Sequence, residues 1–537
     1  MALADSRLEM RVRPASVIEA ELDVAMLGHC PGNARWDLLL ENAQTVREIA
    51  RLGFGEQIEA LMQCFEMAKK LAQQQFIPID QAALEVYKQL SADKQAQLEL
   101  YNLPIPLVSL AHFQVLFPQA ERQATAYRSQ LAGNTAWLPA AIADFFQSSQ
   151  PGTFADGAKK LWLLRIPEAD AQQGFLPDPQ ADYSQPQGLK GFDRAMLIPN
   201  LGAIAMPDLE RLQIPPNLLD VRRMRLVNPD PVFLPCTQST ADDHRERRRS
   251  EEIPHPGNPW TLQSLLTPIL TSLKKRRPDL QCLFSLPLEQ VSEGSLPTVA
   301  NEAKQAIAQA RTSENAGLHA IQFLFPYLSN KDRALSSPVG LIAGAMVETS
   351  QRLGPWRSIA GRPLPGMWQL YPPVPSQQVL ALREQPGVGV LLSYKGRLEL
   401  DDERRAAPVV GVNGFLNRKL STAQLEGYQS GEVARFLGWL QRQLIRLGES
   451  WLFNSDVRDP LGKAQLTQFF TRLHKAGALR GALAEQAFSI TATHDNESTV
   501  IYEIELAPVF PIDRIILNFS HNLGSNSSQW QLDIKNG

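Results

Sequence analysis

The chain has 537 residues, of which 44% are hydrophobic and 20% are charged, which is enough apolar material for several packed cores. Its 53 basic and 56 acidic side chains leave a formal net charge of -3, so no overall field would draw it onto nucleic acid or an anionic membrane. We therefore expect its partners to be proteins or small molecules.

The cysteines and the apolar segments indicate the cellular compartment in which the protein is expected to fold. The four cysteines are far apart and form no Cys-x-x-Cys pair, which argues against a zinc site and against a disulfide framework. The first residues have no apolar core of signal-peptide length, and no later stretch approaches the length of a membrane-spanning helix. A reducing, cytoplasmic setting is expected.

The N-terminal quarter of the chain is predicted to be helical. It is rich in Ala, Gln, Leu and Glu, and helical periodicity occurs in Thr45–Ala50, Glu56–Gln74 and Asp80–Leu90. We expect a short N-terminal segment over residues 1–20, followed by a helix-rich region over residues 21–137.

From Lys160 onward, apolar runs alternate with helical patterns. The runs are KLWLLRI, DRAMLIPN, DLQCLFSLPL and HAIQFLFPYL, and the later ones are separated by TLQSLLTPILTSLKKRR and ANEAKQAIAQAR. Buried strands that alternate with helices are typical of a layered α/β domain. We expect this domain over residues 138–365, with the polar, proline-rich stretch 222–258 as an exposed insertion.

A second domain is predicted after a proline-rich bridge. Two long helical patterns, Gly431–Phe453 and Leu461–Ala476, precede the strand patterns QAFSITAT and STVIYEIELAP. In the second strand the apolar residues alternate with Glu503 and Glu505, so one face should be buried and the other solvated. The pattern predicts an α+β domain over 366–523, and residues 524–537 follow it as a short separate segment.

Catalytic and metal-binding motifs are absent from the sequence. It contains no His-Glu-x-x-His, Gly-x-Ser-x-Gly, Walker A or Gly-x-Gly-x-x-Gly motif, and its eight histidines lack metal-ligand spacing. The basic runs HRERRRSEE and LKKRRPD have no interleaved aromatic residues, which favours a solvated loop and a charged helix end over a nucleic-acid patch. We expect no enzyme activity, cofactor or bound metal.

The segment SSPVGLIAGAMVETSQRLGPWRSIAGRP contains glycines that resemble a phosphate-binding loop. Its small residues recur at helical spacing, whereas a phosphate loop would place its glycines before the helix and supply a lysine. The pattern therefore favours a helix on which another backbone packs, ending at Gly354 and Pro355. Trp356 and Arg357 follow, either in a structural loop or, as an alternative, in an enzyme site.

The order of these blocks resembles contractile tail sheath proteins, the family that includes phage tail sheaths and the sheaths of extracellular contractile injection systems. The resemblance extends from about Leu138 to Asn518. Its blocks are AIADFFQSSQ, FADGAKKLWLLRI, GLKGFDRAMLIPN, SLKKRRPDLQCLFSLPL, FPYL, the SSPVG to AGRP segment, ARFLGWLQRQLIRLGESWLFNSD and ELAPVFPIDRIILNF. The chain departs from the family in lacking its Pro-Gly-Val-Tyr opening and in the divergent helical region before Leu138.

Subunits of this family are joined by terminal arms that add strands to neighbouring subunits, and both termini of this chain have a short alternating pattern. The apolar positions of these patterns are Leu8, Met10 and Val12 in LEMRVR, and Trp530, Leu532 and Ile534 in QWQLDIK. The resemblance therefore implies an N-terminal arm over residues 1–20 and a C-terminal arm over residues 524–537, each with a strand that suits addition to the sheet of another subunit. Edge strands within the same chain are the alternative.

The resemblance implies a fold and a function. The fold would be multidomain, tail-sheath-like, with a central α/β domain, a C-terminal α+β domain and terminal strand-exchange arms. The protein would be a structural subunit that polymerises around an inner tube and contracts to drive it into a target. Its partners would be further copies of itself, the inner tube, and baseplate and cap proteins, assembled in the cytoplasm or in a phage tail-like particle.

The long C-terminal helix is where the resemblance places contacts with the inner tube. Arg442, Arg446 and Glu449 fall on positions of this helix that are predicted to be exposed, and a solvated helix face is the alternative. Two other interpretations of the chain remain open. One is a non-contracting sheath-like ring of a baseplate or cap, and the other is an enzyme that uses the loop at Trp356 and Arg357.

Overall fold

The structure, a computed structural model, describes most of the chain. The described residues are 22–126, 132–147, 159–170, 173–214, 261–291, 295–312, 320–374, 379, 382, 387–406, 429–451, 461–496, 499–509, 514–522 and 527–535. For the last two ranges the backbone alone is described. The predicted N-terminal arm with Leu8, Met10 and Val12, and the predicted insertion 222–258, lie outside these residues.

The strands have the following bounds. They are β1 (Asp23–Gly28), β2 (Pro104–Leu107), β3 (Leu161–Arg165), β4 (Leu201–Ala205), β5 (Gln281–Ser285), β6 (Leu288–Glu289), β7 (Thr298–Val299), β8 (Ile321–Phe325), β9 (Tyr327–Ser329), β10 (Pro363–Leu364), β11 (Gln369–Tyr371), β12 (Val388–Tyr394), β13 (Arg397–Leu400), β14 (Phe488–Asn496), β15 (Thr499–Leu506), β16 (Arg514–Asn522) and β17 (Ser527–Lys535).

The helices lie between and after these strands. They are α1 (Trp36–Glu41), α2 (Ala43–Ile49), α3 (Gly55–Gln75), α4 (Ile79–Gln89), α5 (Ala92–Leu98), α6 (Leu110–Leu116), α7 (Leu138–Gln147), α8 (Gly191–Ala195), α9 (Pro207–Arg211), α10 (Leu262–Arg276), α11 (Asn301–Thr312), α12 (Val339–Leu353), α13 (Gly431–Trp451), α14 (Leu461–Lys475) and α15 (Ala484–Ala487). A π-helical stretch (Ala50–Phe54) joins α2 to α3, and two 3-10 turns follow β3 (Glu168–Asp170 and Pro186–Gly188).

Two compact units divide the chain, one of residues 21–442 and one that includes residues 443–537. This division differs from the predicted boundary between residues 365 and 366. The reason is that β12 and β13 continue the large sheet of the first unit, with β12 paired in parallel to β8. The predicted helix-rich region is also part of this unit, because β1 and β2 belong to the same sheet.

The first unit is built on a nine-stranded sheet with the order β10-β13-β12-β8-β5-β4-β1-β3-β2. The six strands from β12 to β3 are parallel, and β2 and β13 pair antiparallel with this parallel group. The chain runs from β1 outward to β3, returns to β4 on the other side of β1, and continues toward β12. This is a doubly wound order, whose switch point lies between β1 and β4.

Both faces of the parallel strands are buried, as the apolar runs predict. In β1, Val24 and Met26 belong to the apolar core on one face of the sheet, and Ala25 and Leu27 belong to the core on the other face. Strands that are covered on both faces cannot alternate apolar with polar residues, which explains the continuous apolar runs of the sequence. The mixed α/β class is therefore confirmed for this unit.

One predicted strand is wrong. The run DRAMLIPN was expected to be a strand, but α8 covers its first residues and the next strand, β4, begins at Leu201. The side chain of Arg194 explains the difference, because its guanidinium donates hydrogen bonds to the carbonyls of Asn102 and Gln187 and is buried. A helical turn brings this arginine to those carbonyls, and an apolar run alone does not separate a buried helix from a buried strand.

The second unit contains α14, α15 and an antiparallel sheet with the order β14-β15-β16-β17. In β15, Val500, Tyr502, Ile504 and Leu506 are buried while Glu503 is exposed, so the predicted alternation is confirmed. Among the helices that the structure describes, none combines the length and apolar character that crossing a membrane would require.

Candidate functional site

The switch point of a doubly wound sheet is where such folds commonly bind ligands, outside the carboxyl ends of the strands. Here the Asp208 carboxylate fills this position. It accepts hydrogen bonds from the backbone N–H groups of His29 (2.9 Å), Trp137 (2.7 Å) and Leu138 (3.1 Å). The last two belong to the start of α7, so the carboxylate caps that helix. The carboxylate thus joins three segments of the chain, and no sequence pattern indicated this role.

A second buried carboxyl group lies two residues further along α9. Glu210 is fully buried, and its Oε1 accepts a hydrogen bond from the backbone N–H of Ser285 at 2.9 Å. Burial raises the pKa of Glu210 to about 8, and hydrogen bonds from Ser285 and Ser337 offset only part of this effect. Glu210 is therefore a neutral acid at pH 7, which suits a packed interior.

The small-residue helix α12 packs closely on α7. A Cβ atom at Gly340 would collide with the backbone of Ala141, including its carbonyl oxygen. At the start of the helix, the Ser337 hydroxyl accepts a hydrogen bond from the N–H of Val339 at 3.2 Å. The prediction that this segment packs against another backbone is thus confirmed at Gly340.

The loop after α12 begins with a residue whose positive φ strongly favours glycine. Gly354 has a φ of 97°, and the indole ring of Trp356 lies where a Cβ would be. Trp356 is buried and meets the rings of Phe436 and Trp439 edge-on, with ring centroids 6.1 and 6.2 Å apart. The tryptophan is therefore part of the core, while the Arg357 side chain is exposed.

A buried ion pair holds this loop in place. Arg435 on α13 donates hydrogen bonds to the carbonyls of Pro355 (3.2 Å) and Arg357 (2.7 Å). It also pairs with the Glu403 carboxylate at 3.1 Å, and the two side chains are 1% and 0% exposed. Glu403 in turn accepts a hydrogen bond from the N–H of Ile359. Sequence reasoning missed both charged residues, because Glu403 lies in the polar run LDDERR and Arg435 in an amphipathic helix.

Arg442 is buried, so the prediction that this position is exposed is wrong, while its contact with an inner tube stays a prediction. Its side chain is 6% exposed, and Nη1 donates hydrogen bonds to the carboxylate (2.9 Å) and the carbonyl (3.1 Å) of Asp279. Further along α13, Arg446 is partly exposed and Glu449 is exposed, so only these two fit the predicted solvent-facing positions.

The C-terminal pattern forms a strand, β17, at the edge of the four-stranded sheet. It pairs antiparallel with β16 of the same chain. Its three predicted arm residues lie opposite apolar residues of β16, in the pairs Trp530–Phe519, Leu532–Leu517 and Ile534–Ile515. Within the single chain, β17 is therefore an edge strand of its own sheet, which was the alternative to a strand added to another subunit. Exchange between subunits stays a prediction.

A basic face lies on α14. Lys463, Arg472 and Lys475 are exposed and, together with Thr467 and Thr471, line an open groove of about 630 Å³. The helix contains no Asp or Glu, so this groove presents positive charge without an acidic neighbour on the same helix. Within the described ranges, no group of three or more His, Cys, Asp and Glu side chains could hold a metal ion.

Comparison with known proteins gives weak structural matches. No protein-family model matches the chain, and no curated protein has a significant sequence match to it. Among solved structures, the chain is similar to the contracted helical sheath of the anti-feeding prophage, with 13% identity, a TM-score of 0.48, and coverage of 96% of this chain and 97% of that one.

Two further solved structures are similar to parts of the chain. The baseplate of the anti-feeding prophage matches with 14% identity and a TM-score of 0.44, over 77% of this chain and 87% of that one. A sheath tail protein from Desulfitobacterium hafniense matches with 10% identity and a TM-score of 0.39, over 72% of this chain and 88% of that one. Because the identities and the TM-scores are this low, the function has to be argued from the residues of this chain.

Proposed function

We propose that this chain is a structural subunit of a contractile sheath, which polymerises around an inner tube and contracts to drive the tube into a target. The observation that carries this proposal is β17, a nine-residue strand at the sheet edge. Such a strand can pair with the same partner in its own subunit or in a neighbour. The order of sequence blocks from Leu138 to Asn518 supports the same function.

The interior of the first unit agrees with a structural role. Asp208 fills the switch point, and the loop at Trp356 is packed around a buried ion pair, so these two candidate sites hold the chain together. Its partners would be further copies of itself, the inner tube, and baseplate and cap proteins. No cofactor or catalytic step is required by this function.

Electron microscopy of the protein produced with its tube protein tests the proposal directly. Long striated cylinders are expected. Isolated single rings would instead favour a non-contracting ring of a baseplate or cap, and a protein that stays monomeric at high concentration would contradict both. Each outcome is visible in negative stain, without knowledge of the target.

Locking β17 onto its own subunit should prevent polymerisation. Ser520 and Gln529 lie directly opposite each other in β16 and β17, so the double variant S520C/Q529C places two thiols at a spacing that suits a disulfide. We expect the oxidised protein to fold but form no cylinders, and a reducing agent to restore them. The measurement is cylinder length by electron microscopy, with and without reductant.

A matched disulfide provides the control for this lock. Thr491 and Glu503 are opposite each other in β14 and β15, so T491C/E503C ties two strands of the same sheet without touching β17. This variant should assemble whether oxidised or reduced. If oxidised S520C/Q529C forms normal cylinders, β17 is not exchanged between subunits.

The basic face of α14 is proposed to contact an acidic surface of the inner tube, and Arg446 and Glu449 on α13 are further candidates for such a contact. Exposed charges of one sign steer association and give salt-dependent binding. We expect the triple variant K463E/R472E/K475E to lose most tube binding in co-sedimentation while keeping its melting temperature. Binding of the wild-type protein should weaken as salt is added.

The control for this reversal changes the same residue types elsewhere. Arg47, Lys70 and Lys88 are exposed on α2, α3 and α4, so R47E/K70E/K88E gives an identical change of net charge. Equal loss of tube binding in both triple variants would mean that overall charge, and not the α14 face, controls the interaction.

A further inference from the structure

A half-open cleft lies between the last turns of α12 and the edge strand β10. Its volume is about 290 Å³. Its lining includes Glu348, Thr349, Arg352, Leu353, Arg362 and Leu364. Pockets for cofactors and drug-sized ligands are typically about 300–1,000 Å³, so this cleft is suited to a single side chain or a small ion.

Positive charge outweighs negative charge in and beneath the cleft. The Glu348 carboxylate is shared between Lys159, at 3.6 Å, and Arg352, at 3.2 Å. Lys159 lies behind the cleft with its side chain only 5% exposed, and its Nζ also donates a hydrogen bond to the carbonyl of Phe145. The single carboxylate of Glu348 is thus paired with two cations, Lys159 and Arg352, and Arg362 is a further one.

Arg362 adds a third cation, which has no acidic partner within the described residues. Its Nε donates a hydrogen bond to the carbonyl of Ser358 at 2.8 Å, an interaction that leaves the guanidinium charge unneutralised. An arginine fork can bind a carboxylate through two parallel hydrogen bonds, which a lysine cannot do. The cleft is therefore complementary to one more carboxylate.

The rim of the cleft is apolar. Leu353, which lines the cleft, is 44% exposed, and Leu364 of β10 contributes a further apolar side chain to the lining. Among the described residues, β10 is the last strand of the sheet and pairs on one side only, with β13. A free small anion would leave these apolar groups in water, whereas a polypeptide with a hydrophobic residue next to its acid would cover them.

We propose that this cleft binds an acidic side chain of a partner polypeptide, held between Arg352 and Arg362, with an adjacent leucine-sized residue on the apolar rim. The inference goes beyond the proposed sheath function and does not depend on it. The partner is defined by its chemistry, an exposed Glu or Asp flanked by apolar residues.

Peptide binding to the full-length protein tests this inference. The probes are the tripeptide amides acetyl-Leu-Glu-Leu and acetyl-Leu-Asp-Leu, followed by ligand-observed NMR titration. We expect saturable binding of at least one of them, a loss of at least tenfold in affinity when the acid is replaced by its amide, and a similar loss in the variants R352Q and R362Q.

Two controls separate the cleft from its surroundings. Arg357 is exposed on the same loop and does not line the cleft, so R357Q should bind the peptide as the wild-type protein does. Sodium succinate tests a free carboxylate and should bind at least tenfold more weakly. Saturable succinate binding as tight as that of the peptide would overturn the polypeptide partner, and an absence of binding by both peptides would overturn the site.

The variants must also be shown to fold. R362Q removes a partly exposed side chain with one backbone hydrogen bond, so its melting temperature should stay close to that of the wild-type protein. If R362Q folds and keeps full peptide affinity, Arg362 does not bind the carboxylate and the inference is wrong.

Discussion

Replacing Arg435 with alanine is expected to lower the free energy of unfolding by about 3–5 kcal/mol, because it leaves the fully buried Glu403 carboxylate without its cation. The same change removes the donors to the carbonyls of Pro355 and Arg357, so the loop that carries Trp356 loses its attachment to α13. Urea unfolding followed by circular dichroism measures the loss.

Two further variants show whether burial causes this effect. Lys69 and Glu66 form an exposed ion pair at 2.9 Å with side chains 43% and 54% exposed, so Lys69→Ala should cost less than about 1 kcal/mol. Arg435→Lys keeps the charge but cannot reach both carbonyls and the carboxylate together, so an intermediate loss is expected. A loss for Arg435→Ala as small as that for Lys69→Ala would show that the buried pair does not stabilise the loop.

The sequence predicted elements whose hydrophobic period is long and regular. The helices α3, α10 and α14 and the strands β3, β5 and β8 all occur where the periodicity indicated them. These patterns reflect burial of one face or of both faces of an element. Such burial determines the spacing of apolar residues that are close together in the sequence, so it can be recognised without knowing the fold.

Buried charged residues could not be predicted in the same way. Glu403 and Arg435 are 32 positions apart and meet only after β12 and β13 join the sheet and α13 packs beside them. From the sequence alone, a charged residue in a polar run is predicted to be exposed to solvent. The exposure predicted for Arg442 failed for this reason, since its partner Asp279 is 163 positions away.

The C-terminal arm illustrates a different limit. The alternation in QWQLDIK predicts a strand, and β17 is one, but alternation says nothing about which chain supplies the neighbouring strand. A strand at a sheet edge makes the same backbone hydrogen bonds with either chain. The choice depends on subunit concentration and on the length of the connecting segment, so the disulfide lock is needed to decide it.

A Glu210→Gln variant is expected to become more stable than the wild-type protein as the pH rises from 6 to 9. Burial raises the pKa of Glu210 to about 8 in the folded state, against 4.5 for an exposed glutamate. Between these two values the native protein holds a proton that the unfolded chain releases, so the stability of the wild-type protein falls as pH increases. Above pH 8 the folded state contains a buried carboxylate beside Asp208.

Glutamine has the shape of the protonated glutamic acid but does not ionise, so it removes this dependence. Over the range from pH 6 to pH 9 the stability of the wild-type protein relative to the variant should fall by about 2–3 kcal/mol, since each unit corresponds to about 1.4 kcal/mol until the folded pKa is passed. At pH 4, below both pKa values, the ionisation of Glu210 contributes little to the difference between the two proteins, which makes that pH the internal control. Urea midpoints measured from pH 4 to pH 9 would give parallel curves for the two proteins if Glu210 does not hold its proton, and diverging curves if it does.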